Sequence, residues 1–265
     1  MAPDPLVTIV AFVWPGERRY GPEQVDVLGA MLARQMSVPY RFVVIADDPR
    51  GYQVEALATP PAALELARHR SPEQHKAGFP SSYRRLWLFS DEARQLGRRV
   101  MLIDVDVVVT GDLAPLLEPD ADFVGWQPGQ AWGNREGRLG GGSWLLKTGR
   151  CRQVWEDFAG QASIDAARAA GWRGSDQAWI SHCLYGRVPV WPKGAGIYSI
   201  RDLTRGDRSR RTPAAPADSR LVHFNGLHKP WDAPAQIQHP WILQHWYLER
   251  LGDRDATTRR GRGAA

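Results

Sequence analysis

The run Val100-Met101-Leu102-Ile103-Asp104-Val105-Asp106-Val107-Val108-Val109 sets two carboxylates inside an otherwise unbroken apolar stretch. Such a stretch reads as a strand covered on both faces, where an ionised carboxylate is costly unless something positive meets it. Spaced by two along a strand, Asp104 and Asp106 point to the same side, with side-chain bases about 7 Å apart. A divalent cation fits between them after modest bending of the chain, or through a water. The other reading of the same spacing has one Asp capping the next turn and its neighbour solvated at the strand end.

A second passage, His223-Phe224-Asn225-Gly226-Leu227-His228-Lys229-Pro230-Trp231, joins an imidazole able to ligate a metal, a glycine that lets backbone approach a ligand closely, and a lysine ammonium. Phosphate and metal together would use all three. The set of Asp, Asp, His and Lys suits an ion bound to a diphosphate, because two carboxylates and a diphosphate need a dication and at least one further positive group. His182 and His245 read as structural. Twelve tryptophans run from Trp14 to Trp246. Flat aromatic faces suit sugar rings and bases, although each Trp taken singly reads as core or half-buried wall.

These residues need a scaffold, and the hydrophobic pattern supplies one. Val7 to Val13 is a β-branched run closed by Pro15-Gly16, Gln24 to Gln35 has helical spacing, and Arg41 to Ala46 is a second strand closed by Asp47-Asp48-Pro49. Strand, helix, strand opens an α/β unit with a parallel sheet. Tyr83 to Leu96 reads as a helix ended by Gly97, feeding the strand Val100 to Ile103. Further strands are expected over 122–126, 143–146, 188–191 and 221–224, and helices over 152–158, 163–170, 176–184 and 240–251. Pro213 and Pro216 make 205–219 a loop. The expected architecture is one Rossmann-like α/β domain over 1–251 with a mostly parallel central sheet, followed by a flexible basic tail over 252–265.

Composition narrows the class. Of 265 residues, 43% are apolar and 24% charged, which excludes a wholly disordered chain, a coil or collagen. Cys151 and Cys183 are too few for a disulfide scaffold and lack metal-finger spacing, so a cytoplasmic location is expected. The apolar run from Leu6 to Trp14 is broken at Pro15 and is too short to span a membrane. A net charge of +5 would suit an anionic partner, but many of the arginines lie in 201–220 and in the tail. Nucleic acid is therefore not expected, and membrane contact is at most peripheral.

Asp104-Val105-Asp106 after an apolar strand and the 223–231 segment resemble the DxD and HxxGxxKPW motifs of glycosyltransferase family 8, which has the GT-A fold. Tyr83-Arg84-Arg85-Leu86 is similar to that family's Y-x-R-L segment, and Asp176-Gln177 to its D-Q pair. The resemblance implies that Asp104, Asp106 and His223 bind Mn2+ (or Mg2+), while Gly226 and Lys229 hold the donor diphosphate. It gives Arg85, Asp176 and Gln177 catalytic places: Arg85 and Asp176 touching the donor sugar or supporting the aspartates, Gln177 near the anomeric carbon. Phe12, Val13, Trp14, Tyr20, Val105 and Gly142 complete the donor site that it implies. The implied activity is metal-dependent transfer of a sugar, with retention, from a nucleotide-diphosphate sugar such as a UDP-sugar to a saccharide, lipid-linked or protein acceptor. Two departures stand out. Gly140-Gly141-Gly142-Ser143 replaces the family's N-x-G segment, and Phe12-Val13-Trp14-Pro15 lacks the polar residues usual after the first strand. The rival readings are a non-catalytic sugar- or nucleic-acid-binding protein, and a haloacid-dehalogenase-type phosphatase, whose aspartate motif stands near the N-terminus rather than 100 residues in.

Overall fold

Strand β1 (Val7–Val13) is buried along its whole length and divides its side chains between two cores. Ile9, Ala11 and Val13 face one core and Val10 and Phe12 the other, the alternation that a pleated strand imposes. In the computed structural model, which describes residues 6–14, 20–76, 81–129, 135–204, 207, 209–225 and 228–248, β1 pairs in parallel with β2 (Tyr40–Ala46). On its other side it pairs in parallel with β4 (Arg99–Ile103). β3 (Glu55–Ala58), β6 (Phe123–Gly125) and β7 (Ser143–Lys147) complete a six-stranded sheet in the order β3-β2-β1-β4-β7-β6, in which β7 alone runs against its neighbours. The mostly parallel sheet is the expected one.

Helix α1 (Pro22–Gln35) covers one face. Pro22 opens it with a pre-set φ, the Gln24 side chain accepts from the Gly21 N–H at 3.0 Å, and Val25, Leu28, Met31 and Leu32 are buried. The other face is covered by Tyr83–Phe89 and Asp91–Leu96. The pattern predicts one helix there; the structure has two 3-10 helices hinged at an extended Ser90, with Gly97 at φ +117° closing the second. All seven residues of 83–89 are buried, so packing on every side, rather than an amphipathic stripe, fixes this segment.

Further differences concern short elements. The expected strand over 188–191 is a single bridge between Gly125 and Val190, and the closing helix is a 3-10 turn over Pro240–Gln244. The expected strand Val100 to Ile103 is present, but the placing of Asp104 and Asp106 on one strand face is corrected. β4 stops at Ile103, 104–106 turn away, and β5 (Val107–Val109) joins a second sheet, β5-β9-β8, with β9 (Leu221–His223) and β8 (Ile197–Ser199). Asp104 and Asp106 therefore lie where the chain crosses between two sheets, at the carboxyl end of β4 beside that of β1. No helix among the described residues is long and apolar enough to cross a membrane. Gly226 and the tail 252–265 lie outside the described residues.

Trp144 of β7 anchors the strand that follows the Gly140–Ser143 segment. It is fully buried against Phe89 and Phe123, with ring centroids at 5.1 and 5.7 Å, and its indole N–H has no partner among the described residues. Trp144→Ala should therefore cost about 3–5 kcal/mol in urea unfolding. Trp144→Phe should cost clearly less, because no hydrogen bond is lost with the indole; equal losses would contradict this packing.

Candidate active site

Two ladders assemble the site. In the large sheet Ile103 pairs with Ser143, and the Asp104 N–H donates to the Gly142 carbonyl at 2.9 Å, so the glycine-rich segment runs beside Asp104. In the small sheet Val107 pairs with His223, and the Phe224 N–H donates to the Asp106 carbonyl at 2.8 Å. The two passages singled out in the sequence are thus joined by backbone hydrogen bonds, although more than 110 residues separate them.

Arg85 ties this crossing to the helix Asp176–Leu184. Its Nη1 donates to Asp104 Oδ1 at 2.5 Å and its Nη2 to Asp176 Oδ1 at 3.0 Å; Nε lies 2.9 Å from Asp176 Oδ2, within ion-pair reach but off the line of a hydrogen bond. Asp176 is fully buried at the first turn of its helix, where the helix N-terminus favours a negative charge, and the Ser175 hydroxyl donates to it at 2.8 Å. Gln177 accepts from the Gly141 N–H at 3.2 Å, and a Cβ on Gly141 would fall 3.0 Å from Gln177 Oε1 and 3.3 Å from Arg85 Nη2.

Asp106 has different partners. Lys229 Nζ contacts its Oδ2 and donates to the Phe224 carbonyl at 3.0 Å, and the Tyr20 hydroxyl donates to the same carboxylate oxygen at 3.1 Å. The edge of Tyr20 meets Trp231 at 5.3 Å, which braces the phenol. The two carboxylates are thus neutralised one at a time, by Arg85 and by Lys229, rather than presented together on one strand face.

His223 is buried and sandwiched. Its Nε2 shares a 2.6 Å hydrogen bond with Ser143 Oγ and its ring stacks on Trp126 at 4.5 Å and 14°. Burial lowers its pKa to about 4, with the Arg85 charge acting in the same direction and Asp106 against it. The imidazole is neutral at pH 7. A Cβ on Gly142 would lie 2.7 Å from Asp104 Oδ2 and 2.8 Å from His223 Nδ1, so only glycine keeps open the space onto which these two donors face.

Among the described residues no three His, Cys, Asp or Glu side chains form a ready metal cage, because Lys229 and Arg85 hold the carboxylates. The donor set nonetheless fits a hard dication. Carboxylate oxygen and imidazole nitrogen suit Mn2+ or Mg2+, the gap at Gly142 is open, and Ser143 leaves Nδ1 of His223 turned to it. The charge count agrees. Among the described residues the cations paired with Asp104, Asp106 and Asp176 are Arg85 and Lys229, with His223 neutral, and the pKa of Asp104 is pushed up to about 6 by burial against the pull of Arg85. With 35% of its side chain exposed, Asp104 is the carboxylate a ligand can reach from solvent.

The remaining expected residues are placed less directly. Phe12, Val13 and Val105 are buried, so only their backbone can face a ligand, while Trp14 is half-buried with the Arg84 guanidinium 4.8 Å over its ring. Arg84 in turn pairs with Asp47 at 2.6 Å. Sequence reasoning missed Ser143, Trp126 and this Arg84–Asp47 pair. Ser143 lay in the glycine-rich segment already noted, but neither its partner nor that of Trp126 is signalled by local spacing.

No family model matches the chain, and no curated protein matches it in sequence. Solved structures do match. The galactosyltransferase LgtC, solved with donor and acceptor sugar analogues, is 14% identical, with TM-score 0.59 over 94% of this chain and 99% of LgtC. GlyE of Streptococcus pneumoniae TIGR4 is 15% identical, with TM-score 0.52 over 85% of this chain and 56% of GlyE. The bifunctional glycosyltransferase WbbM is 14% identical, with TM-score 0.51 over 93% of this chain and 52% of WbbM. The chain thus spans about half the length of the last two.

The depressed pKa of His223 has a pH consequence. Its folded value lies below the unfolded value near 6.5, so the stability that comes from keeping it neutral is complete above pH 6.5 and is lost as the pH falls towards 4. An NMR titration of its ring protons in metal-free protein should show a midpoint near 4; a midpoint near 6.5 would contradict the burial of this ring. The strand order, the crossing at Asp104–Asp106 and the structural matches agree on one architecture: the chain has the GT-A fold of these glycosyltransferases.

Proposed function

We propose that this chain is a metal-dependent glycosyltransferase that moves a sugar from a nucleotide-diphosphate donor, a UDP-sugar by its resemblance to family 8, to a separate acceptor. The observation that carries this reading is the open gap at Gly142, faced by Asp104 and His223 Nδ1 and flanked by the Arg85–Asp176 pair, at the carboxyl end of a parallel sheet. Ligands of open α/β sheets bind at that edge. LgtC, with the same fold, takes donor and acceptor sugar analogues, and a glutamine belongs to its active site.

Asp104, Asp106 and His223 would hold Mn2+ or Mg2+, which supplies a Lewis acid for the departing diphosphate. For Nδ1 to ligate, Nε2 must carry the proton and donate it to Ser143 Oγ, and the Trp126 stack keeps the ring in that plane. Lys229, which lies on Asp106 here, would turn its ammonium to the diphosphate, and Tyr20 would remain as the second donor to the carboxylate. The leaving group gains negative charge as the sugar gains positive charge, so it needs charge stabilisation more than a proton. Arg85 positions Asp104 and braces Asp176, and Gln177, fixed by the Gly141 N–H, would lie near the anomeric carbon. Retention is part of the resemblance; no side chain is assigned as nucleophile.

Release of UDP from UDP-hexoses tests the reading. It should vanish with excess chelator and fall by most of its value in Asp104→Asn and Asp106→Asn, with folding preserved in Asp104→Asn because Asp104 is partly exposed and Arg85 keeps Asp176 as its buried partner. His223→Ala should need more Mn2+ for half-maximal rate and recover part of it in excess metal. Lys229→Ala should instead weaken donor binding by about tenfold to a hundredfold, a charge-assisted contact of about 1.5–3 kcal/mol, with no rescue by metal. Full activity in chelator, or the same metal response in both variants, would contradict the assignment.

A further inference from the structure

Trp126 has a second role. Besides stacking on His223, it lines a cavity of about 760 Å³ whose walls include Tyr185 and Trp191 together with Arg135, Arg138 and Lys193. The volume is that of a small-molecule site. None of Phe12, Trp14, Tyr20 or Lys229 lines it, so it is a neighbour of the proposed donor site across Trp126, not part of it.

Its charge is unbalanced. Arg84 and Arg85 each hold a carboxylate, whereas half-buried Arg138 has no acidic partner among the described residues. Burial lowers the pKa of Arg138 and the nearby Arg201 charge lowers it further, which marks a guanidinium kept without a counter-ion. Arg135 lies over the rings of Trp172 and Tyr185 at 5.2 and 5.4 Å, again with no carboxylate partner among the described residues. The acidic residues on the walls are Glu136 and Asp202, and Asp202 is turned to the Gly129 N–H at 3.4 Å. The ring of Tyr185 would collide with any Cβ on Gly137, at 2.5 Å and φ +77°, so the aromatic wall is closely built.

We propose that this cavity seats the acceptor and that the acceptor is a saccharide bearing an anionic group, a carboxylate or a phosphate, which Arg138 binds while the sugar ring lies against the exposed ring of Tyr185. The word acceptor rests on the glycosyltransferase reading; the preference for an anionic sugar does not. Flat aromatic faces receive the apolar side of a pyranose, and a planar guanidinium matches the two oxygens of a carboxylate or phosphate. Trp126 lines the cavity and stacks on His223, whose Nδ1 faces the gap at Gly142, so a single indole ring lies between the two spaces.

The test compares three probes on the full chain by ligand-detected NMR: methyl glucoside, glucuronic acid and glucose 6-phosphate. At least one anionic probe should bind about tenfold more tightly than methyl glucoside, as a charge-assisted contact requires, and the preference should shrink as salt is raised. Preference for glucuronic acid assigns a carboxylate, and preference for glucose 6-phosphate a phosphate. Arg138→Gln should abolish the preference and leave UDP binding unchanged, and Lys193→Gln, at an exposed position, should reduce it in part. Equal binding of all three probes, or a preference untouched by Arg138→Gln, overturns the proposal. Failure of UDP to bind the wild-type chain would instead count against the glycosyltransferase reading.

Discussion

The buried guanidinium of Arg85 is the constraint on which the rest of the site depends. It comes from a segment with no exposed residue, and it holds Asp104 at the end of β4 and Asp176 at the start of the helix Asp176–Leu184. Arg85 and Asp176 are taken out of water together, and that is tolerable because the carboxylate meets a fork of donors, while Asp104 on the other arm keeps partial access to solvent. Leaving Asp176 without Arg85 would leave a buried charge uncompensated, an effect of about 3–5 kcal/mol. Because the fork is planar and its segment is packed on all sides, the position of Asp104 is set by the core and not by the loop that carries it.

Given that fixed point, the two sheets do the assembly. β7 brings Gly142 and Ser143 to Asp104, β9 brings His223 beside β5, and the 104–106 crossing joins them. The same ladders explain the residue types. Gly142 leaves the gap that a side chain would fill, Ser143 satisfies the buried Nε2 of His223, and Trp126 flattens the ring. What remains unsatisfied is electrical, with three carboxylates set against two cations around a neutral imidazole. A cation would reduce that negative excess, and on the far side of Trp126 the excess is of arginine and has the opposite sign.

Much of this was legible in the sequence because it is local. Continuous β-branched runs gave β1, β2 and β4 nearly to the residue, and the helical spacing over Gln24 to Gln35 gave α1 without its first two residues. The resemblance to family 8 named Arg85, Asp104, Asp176 and His223, and the structure brings all four to one place. The turn at 104–106 was not legible, since two carboxylates spaced by two in an apolar run read as sharing a strand face until the pairing partner of Val107–Val109, more than 110 residues away, is known. Tyr83–Leu96 misled because local spacing does not mark Ser90, the extended residue that divides it into two 3-10 helices. The ion pairs of Lys229 with Asp106 and of Arg84 with Asp47 are non-local contacts that spacing cannot encode.

The account stands on the claim that cation and nucleotide diphosphate occupy one site and each needs the other. Calorimetric titration of Mn2+ into the chain with and without saturating UDP measures that coupling directly. It should show metal binding tightened at least about tenfold by UDP, with UDP binding tightened by the same factor when Mn2+ is present, as linkage requires. Independent binding of the two ligands, with a coupling factor near one, would contradict the account.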